Sequence, residues 1–282
     1  MDNMLLWIIL VTTIAGVGGT GIGGALSACI RRDSTKIVSL LLSFAGGIML
    51  SVVCFDLIME ALFPEGAEPV GLAVVIAGIM VGYGLVALLN YVIDKKTNPE
   101  LEHIDEEHPK TADALDELIH SNHLEKHMVE KSNLFTAGLI MAAAISLHNL
   151  PEGMVIGAAY SGENITELWS GSGFVMAIVI GLHNIPEGMA ITVPLIAGGM
   201  KKSKAVLITA VCGLPTVLGA VAGYLLGSMG PVMQSLALSF ASGAMLYVVF
   251  GELFPESILM WRSKLPAIGA VCGIIIGMII IF

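Results

Sequence analysis

Long apolar stretches separated by short polar segments constrain this chain more than any other feature. Of its 282 residues, 56% are hydrophobic and only 13% are charged, whereas a soluble domain carries roughly a quarter charged residues. A helix of about 20 apolar residues is long enough to cross the hydrocarbon core of a bilayer. We therefore predict an all-α, polytopic membrane protein with eight transmembrane helices. The eight predicted spans are roughly 4–29, 37–62, 70–93, 134–160, 171–198, 204–227, 233–258 and 265–282.

The basic residues indicate how these spans are oriented. All 13 Lys and Arg fall in or beside alternate connecting segments, after spans one, three, five and seven. Because basic residues concentrate in cytoplasmic loops, these four segments are predicted to be cytosolic and both termini to lie outside. A missed or additional span would break the alternation, which supports the count of eight. The N-terminus has no basic segment before its apolar stretch, so we expect a retained helix and not a cleaved signal peptide.

The longest polar segment lies between spans three and four. It holds 11 of the 23 acidic residues, so the net charge of −10 describes this loop and does not indicate a nucleic-acid or other partner for the whole protein. The chain is predicted to consist of helices one to three (1–93), a cytosolic His- and acid-rich loop (94–133) and helices four to eight (134–282). Within the loop, three His share one face of a predicted helix and either capture metal weakly or are incidental. They are His120, His123 and His127.

Spans two and seven resemble each other. Residues 44–57, FAGGIMLSVVCFDL, align without gaps with 240–253, FASGAMLYVVFGEL, and eight of fourteen positions are identical. The alignment pairs Asp56 with Glu252. Since the predicted topology runs the two spans in opposite directions, they indicate an inverted repeat, with spans 1–3 and 6–8 arranged around central helices 4 and 5. Convergent use of Gly, Met and Val in membrane helices is the alternative explanation.

Two matching hexapeptides lie inside spans four and five. Residues 148–153 read HNLPEG and residues 183–188 read HNIPEG. Residues four apart share a face of a helix, so each motif offers an imidazole and a carboxylate to one side, with an amide beside them. A Pro inside a helix removes a backbone hydrogen bond, and we expect both helices to be kinked. Because spans four and five run in opposite directions, the two motifs are predicted to face each other at membrane depth.

Ionisable residues inside a membrane are costly and are usually functional or paired. No Lys or Arg lies in the interior of a span, so bound cations or protons have to neutralise the acidic side chains there. Asp56, Glu252 and Glu256 are predicted pathway or release residues, although Glu256 is close enough to a span end to be simply solvated. Imidazole and carboxylate ligands suit Zn²⁺, Fe²⁺, Mn²⁺ or Cd²⁺ better than Ca²⁺ or Mg²⁺. The pattern therefore implies a pathway for divalent transition metals.

With these motifs the sequence resembles the ZIP (Zrt/Irt-like protein) family of divalent-metal transporters, in particular its small prokaryotic-type members. The resemblance covers essentially the whole chain. It implies a bundle whose spans four and five carry a central metal site, and movement of zinc, iron, manganese or cadmium into the cytosol. By the resemblance, the His and Glu of the hexapeptides form the main site, while the Asn residues contribute to an adjacent second metal that the Glu bridge. The implied ligands are His148, Asn149, Glu152, His183, Asn184 and Glu187.

The chain departs from the family pattern in span six. Many members have a Glu within a G-L-x-E-P-L-G-A-like stretch, but residues 213–220 read GLPTVLGA, which puts Thr216 at the acidic position. Asn184 is also neutral where some members have Asp. A second metal thus has two fewer charges available, and we expect one strongly occupied site with the second weak or empty. Met49 matches a position where a Met approaches the main site, or else it is an ordinary apolar side chain.

Other functions share part of this pattern. An intramembrane zinc hydrolase would also combine His and Glu, but H-E-x-x-H is missing, so we expect a transporter and not an enzyme. A proton-coupled metal exporter stays open, because the sequence indicates topology and not the direction of coupling. The expected partners are Zn²⁺ or another divalent metal as transported substrate and the lipid bilayer, without an organic cofactor; a homodimer stays open. The expected location is the plasma membrane, which is the inner membrane of a bacterium.

Overall fold

The computed structural model describes residues 2–29, 35–64, 67–97, 131–162 and 168–282. Over these residues the chain is helical and contains no strand, as the apolar stretches predict. Residues 98–130, which include His120, His123 and His127 of the predicted cytosolic loop, lie outside the described residues. In chain order the helices are α1 (Asp2–Thr13), α2 (Gly19–Cys29), α3 (Thr35–Val52), α4 (Ile58–Leu62), α5 (Leu72–Thr97), α6 (Lys131–Tyr160), α7 (Ser172–Ala197), α8 (Lys202–Val211), α9 (Leu214–Gly227), α10 (Pro231–Val248), α11 (Phe254–Met260) and α12 (Leu265–Ile281).

Within the described ranges, six helical segments are long and apolar enough to cross a membrane, which agrees with a multi-pass membrane protein. The fourth predicted span corresponds to α6, which has 30 residues and carries the first polar hexapeptide. The eighth corresponds to α12, which is apolar but has only 17 residues. The count of eight therefore stays a prediction, as does the outer position of both termini. The six segments are Asn3–Cys29, Lys36–Leu62, Leu72–Val92, Ser172–Ala197, Lys202–Gly227 and Pro231–Met260.

The helix irregularities lie beside the hexapeptide helices and not at the hexapeptide prolines. Helix α6 continues through Pro151, and α7 continues through Pro186. Neighbouring helices can satisfy the backbone group that a proline leaves free, so a membrane helix tolerates it. A turn at Cys212 and Gly213 instead separates α8 from α9. The other irregularities are π-helical turns at Ile14–Gly18, Val53–Leu57 and Val249–Leu253, which join α1 to α2, α3 to α4 and α10 to α11.

Helix α6 packs against α9 with their backbones in direct contact. A Cβ atom added at Gly153 would collide with the carbonyl oxygen of Thr216. One added at Gly219 would collide with the carbonyl oxygen of Leu150. Small residues allow such close approach of membrane helices, and here they hold the first hexapeptide against α9.

Helix α7 packs against α2 in the same manner. A Cβ atom at Gly188 would collide with the carbonyl oxygen of Thr20, and one at Gly23 would collide with that of Ile185. Gly188 follows Glu187 in the second hexapeptide just as Gly153 follows Glu152 in the first. The two hexapeptide helices are therefore each supported by one glycine-rich neighbour, in equivalent ways.

The remaining long helices form a second pair of close contacts. A Cβ atom at Gly82 of α5 would collide with the carbonyl oxygen of Phe240 in α10. A Cβ atom at Gly273 of α12 would collide with the carbonyl oxygen of Phe44 in α3. Phe44 and Phe240 are the first residues of the two segments that align with each other in sequence. Helices α3 and α10 thus each carry one peripheral helix at an equivalent position.

Serine hydroxyl groups join α3 and α4 to α10 and α11. Ser39 Oγ donates a hydrogen bond to the carbonyl oxygen of Ser257 (2.6 Å), and Ser257 Oγ donates to that of Ser39 (2.9 Å). Further along, Ser235 Oγ donates to the carbonyl oxygen of Ala61 (2.6 Å). All three hydroxyl groups are buried. Hydrogen bonds at both ends thus hold these helices beside each other, next to α6 and α7.

Candidate metal centre

The two hexapeptides lie in the interior of α6 and α7, and burial removes their polar side chains from water. The imidazoles are 2% exposed, and the amides and carboxylates are 0% exposed. A buried carboxylate is stable only with hydrogen bonds, a counter-charge or a bound cation. The six buried side chains are His148, Asn149, Glu152, His183, Asn184 and Glu187.

Three of these side chains converge on one point between the helices. One ligand atom each of Glu152, His183 and Glu187 lies within 4.8 Å of the other two. His183 Nε2 is 3.0 Å from Glu152 Oε1. Zn²⁺ binds imidazole nitrogen and carboxylate oxygen at about 2.0–2.2 Å, so small inward movements would bring all three onto one ion.

His148 faces a different carboxylate in this conformation. Its Nε2 is 2.9 Å from Oε1 of Glu252, which lies in the π-helical turn Val249–Leu253. The two atoms are close but lack the alignment of a hydrogen bond, so the carboxylate oxygen stays unsatisfied. The expected set of four main ligands is therefore divided: Glu152, His183 and Glu187 lie together, and His148 lies against Glu252.

Both hexapeptide amides are held by irregular segments of neighbouring helices. Asn149 Nδ2 donates a hydrogen bond to the carbonyl oxygen of Cys212 (2.8 Å), at the turn between α8 and α9. Asn184 Nδ2 donates to the carbonyl oxygen of Ala15 (3.2 Å), in the π-helical turn Ile14–Gly18. Since a carbonyl oxygen only accepts, these contacts point each amide nitrogen toward the neighbouring segment. They leave each Oδ1 free for another donor or a cation.

Unsatisfied buried oxygen atoms are concentrated in the hexapeptides. In the part of the chain that the structure describes, neither carboxylate oxygen of Glu187 has a hydrogen-bond partner. Oε2 of Glu152 and Oδ1 of Asn149 and Asn184 have none either. Leaving a buried polar atom unpaired costs about 1–3 kcal/mol, and more for a charged group. A cation among these oxygens would satisfy several of them at once.

Comparison with known proteins identifies the family. The sequence model of a protein family described as ZIP zinc transporter matches residues 6–282 of this chain. The chain belongs to the ZIP zinc transporter family. It is similar to zinc transporter ZupT of Akkermansia muciniphila, with 30% identity over 285 residues that cover 99% of this chain and 98% of that protein.

Further relatives of this ZIP chain carry the same description. Zinc transporter ZupT of Enterobacter sp. (strain 638) is 32% identical over 269 residues, covering 94% of this chain and 92% of the relative. That of Clostridium perfringens is 27% identical over 284 residues, covering 98% and 95%. The resemblance inferred from the hexapeptides is thereby confirmed. Family membership makes the chain a transporter and not an enzyme, and it supports divalent-metal transport across a membrane.

Thr216 occupies the position at which the resemblance leads us to expect an acidic residue. Its side chain is fully buried, and its Oγ1 has no hydrogen-bond partner among the described residues. It lies against Gly153, next to the carboxylate-bearing Glu152. The structure thus gives this position a neutral oxygen atom beside the first hexapeptide, without the charge of a carboxylate.

Three further predicted residues lie outside the hexapeptides. Met49 is 1% exposed and belongs to the apolar core. Asp56 and Glu60 line an open cavity of about 340 Å³, with Ser172 at the start of α7 on another wall. Glu256 is half-buried in α11, one turn beyond Glu252. Met49 stays a predicted approach ligand, and Asp56 and Glu256 stay predicted pathway or release residues.

Sequence reasoning missed the partners of the asparagines and the contact between His148 and Glu252. The carbonyl groups of Ala15 and Cys212 belong to the main chain, which leaves no signature in residue type. The sequence Gly213-Leu214-Pro215 is the one local signal, because Gly and Pro favour a turn at the place where α8 ends.

Proposed function

We propose that this ZIP chain carries divalent transition-metal ions, zinc before iron, manganese and cadmium, into the cytosol through the hexapeptide site. The observation that carries the proposal is the buried group of Glu152, His183 and Glu187, in which both Glu187 oxygens lack a partner. No Lys or Arg lies in the interior of α6 or α7, so a cation is the natural counter-charge.

The chemistry of the ligands supports transition metals over the hard cations. One imidazole and two carboxylates form a mixed nitrogen and oxygen set, which suits Zn²⁺, Fe²⁺, Mn²⁺ and Cd²⁺. A transporter has to release its ion, and three ligands that are close but not tightly assembled suit moderate affinity. His148 is proposed as the fourth main ligand, Asn149 and Asn184 as ligands of a weaker second site, and Met49 as an approach ligand.

The topology proposed for this function has eight spans, both termini outside and an inverted repeat. Under the alignment that pairs Phe44 with Phe240, the π-helical turns Val53–Leu57 and Val249–Leu253 fall at identical positions. The hydrogen bond from Ser39 to Ser257 corresponds in the same alignment to the one from Ser235 to Ala61. The π-helical turns and the hydrogen bonds are independent features, and their agreement favours an inverted repeat over convergent amino-acid composition. The domains proposed are 1–93, the cytosolic loop 94–133 and 134–282.

The contacts also suggest how the site could open alternately to each side. Backbone contacts at glycine lie within two groups of helices. One group carries the site and consists of α2, α6, α7 and α9. The other consists of α3, α5, α10 and α12. We propose that these two groups move relative to each other, with Asp56 on the outer path and Glu252 and Glu256 on the cytosolic path. The proposed location is the plasma membrane, and a dimer is compatible with these contacts.

Zinc flux into proteoliposomes tests the function. We expect saturable uptake that Glu152→Gln lowers at least roughly tenfold, because the carboxylate would bind the ion directly. Glu68→Gln, which neutralises an exposed acidic residue outside the site, serves as the matched control and should leave uptake unchanged. Unchanged uptake in Glu152→Gln would refute the site, and flux that never saturates would refute a carrier.

A further inference from the structure

Each of the two histidines of the site contacts one acidic residue, whereas the symmetry of the proposed repeat offers each of them two. The alignment of the hexapeptides pairs His148 with His183 and Glu152 with Glu187, and the repeat pairs Asp56 with Glu252. The structure contains the contacts His148–Glu252 (2.9 Å) and His183–Glu152 (3.0 Å). The corresponding contacts on the other side of the pseudo-twofold axis would be His183–Asp56 and His148–Glu187.

Among the described residues, the acidic residues of these two missing contacts, Glu187 and Asp56, do not contact a histidine in the way that Glu152 and Glu252 do. Both Glu187 oxygens are buried and have no hydrogen-bond partner in the described part of the chain. Asp56 is partly exposed and lines the cavity of about 340 Å³, whose walls include Ser172, the first residue of α7. The cavity therefore reaches the helix that carries His183, from the side that the basic residues predict to be outer.

The backbone presents Asp56 and Glu252 in the same local geometry. Each is the fourth residue of a π-helical turn, in Val53–Leu57 and in Val249–Leu253. Single π-helical turns often occur at functional sites, because the extra residue redirects the side chains that follow. The packing of the helices that lead into the turns is repeated as well, since an added Cβ atom at Gly269 would meet Ser43 and one at Gly78 would meet Ser239.

We propose that Asp56 is a further substrate-binding residue, which contacts His183 in a second conformation as Glu252 contacts His148 in this one. In that conformation Glu187 contacts His148, so each imidazole exchanges one carboxylate partner for another. A divalent transition-metal ion entering from the cavity would first meet Asp56 and be passed to the hexapeptide ligands, with Glu252 serving the cytosolic side. This inference rests on the transport function and the repeat proposed above.

A simpler role for Asp56 would be general attraction of cations in the cavity. Glu60 provides the comparison, because it lines the same cavity one turn further along and accepts a hydrogen bond from Gln234 Nε2 (3.1 Å). General attraction predicts that Asp56→Asn and Glu60→Gln have equal effects. Exchange of partners predicts that Asp56 matters more and that its position relative to His183 is specific.

Mercury cross-linking of cysteine pairs tests the exchange directly. The full chain, with its four native cysteines replaced, would carry Asp56→Cys with His183→Cys, or Glu252→Cys with His148→Cys. We expect Hg²⁺ to cross-link both pairs in membranes, each in its own conformation. The crossed pair Asp56→Cys with His148→Cys is the matched control and should not cross-link. Cross-linking of the 252/148 pair without the 56/183 pair overturns the proposal, as does equal cross-linking of the crossed pair.

Zinc uptake separates this proposal from the transport function itself. Asp56→Asn should lower uptake at limiting outer zinc about tenfold, as loss of a supporting carboxylate at a metal site does, and Asp56→Glu should restore most of it. Glu60→Gln should lower uptake clearly less. If Glu152→Gln stops uptake while Asp56→Asn acts no more strongly than Glu60→Gln, the transport function stands and the role of Asp56 is refuted. If Glu152→Gln has no effect, the transport site itself is wrong.

Discussion

At the scale of single residues, Thr216 and Thr20 differ in what their hydroxyl groups bind, although each lies against the glycine of one hexapeptide. Thr20, at the equivalent position in α2, donates its hydroxyl to the carbonyl oxygen of Gly16 (2.9 Å). Thr216 Oγ1 has no hydrogen-bond partner among the described residues, and the carbonyl group of Cys212, one turn earlier, accepts from Asn149. The Thr216 hydroxyl is therefore a free but neutral oxygen, which can assist a cation without providing a counter-charge.

Changing Thr216 to an acidic residue should strengthen a second metal site. In Thr216→Glu a carboxylate would join the unsatisfied amide oxygens of Asn149 and Asn184 and the hexapeptide carboxylates, and oxygen ligands with negative charge bind divalent ions more tightly. We expect purified protein to contain an additional metal equivalent per chain by mass spectrometry of the metal. Thr216→Gln has the same size without the charge and should not. Two fully occupied metals in the unchanged chain would contradict the expectation of one strong site.

At the scale of elements, the helices and the candidate ligand residues could be predicted from the sequence, but the helix irregularities could not. Apolar length predicted the helices, and the spacing within residues 148–153 and 183–188 predicted which side chains share a face. The π-helical turns depend on how α3 and α10 pack, and no residue type requires one there. The contact of His148 with Glu252 likewise depends on the position of α10 relative to α6. Each residue was predicted separately, but their pairing requires three-dimensional structure.

The glycine of the first hexapeptide should be needed for packing rather than for chemistry. Gly153→Ala would push a methyl group against the carbonyl group of Thr216, and overpacking of this kind costs about 1–3 kcal/mol. We expect a lower unfolding temperature in detergent. Gly84→Ala in α5 is the matched control, because nothing lies within 4 Å of its added Cβ, and a helix gains about 1 kcal/mol when Ala replaces Gly. Equal unfolding temperatures for the two variants would contradict the close packing of α6 on α9.

At the scale of the whole molecule, the direction of transport depends on which way the bundle lies in the membrane. The cavity beside Asp56 and the contact of His148 with Glu252 lie toward opposite ends of the bundle, so reversing the topology would reverse their roles. The orientation rests on the alternation of basic residues along the chain, which is a statistical preference and not a contact. An experiment on sidedness therefore bears on every functional role proposed for the acidic residues.

Labelling of single cysteines tests this orientation. Met229, in the turn between α9 and α10, is 71% exposed and is predicted to lie outside, whereas the exposed Ser203 of α8 is predicted to lie in the cytosol. In a chain without its native cysteines, we expect a membrane-impermeant maleimide to label Met229→Cys in intact cells. Ser203→Cys should be labelled only after the membrane is opened, because the reagent cannot cross it. The reverse pattern would place both termini in the cytosol and make Asp56, not Glu252, the acid on the cytosolic path.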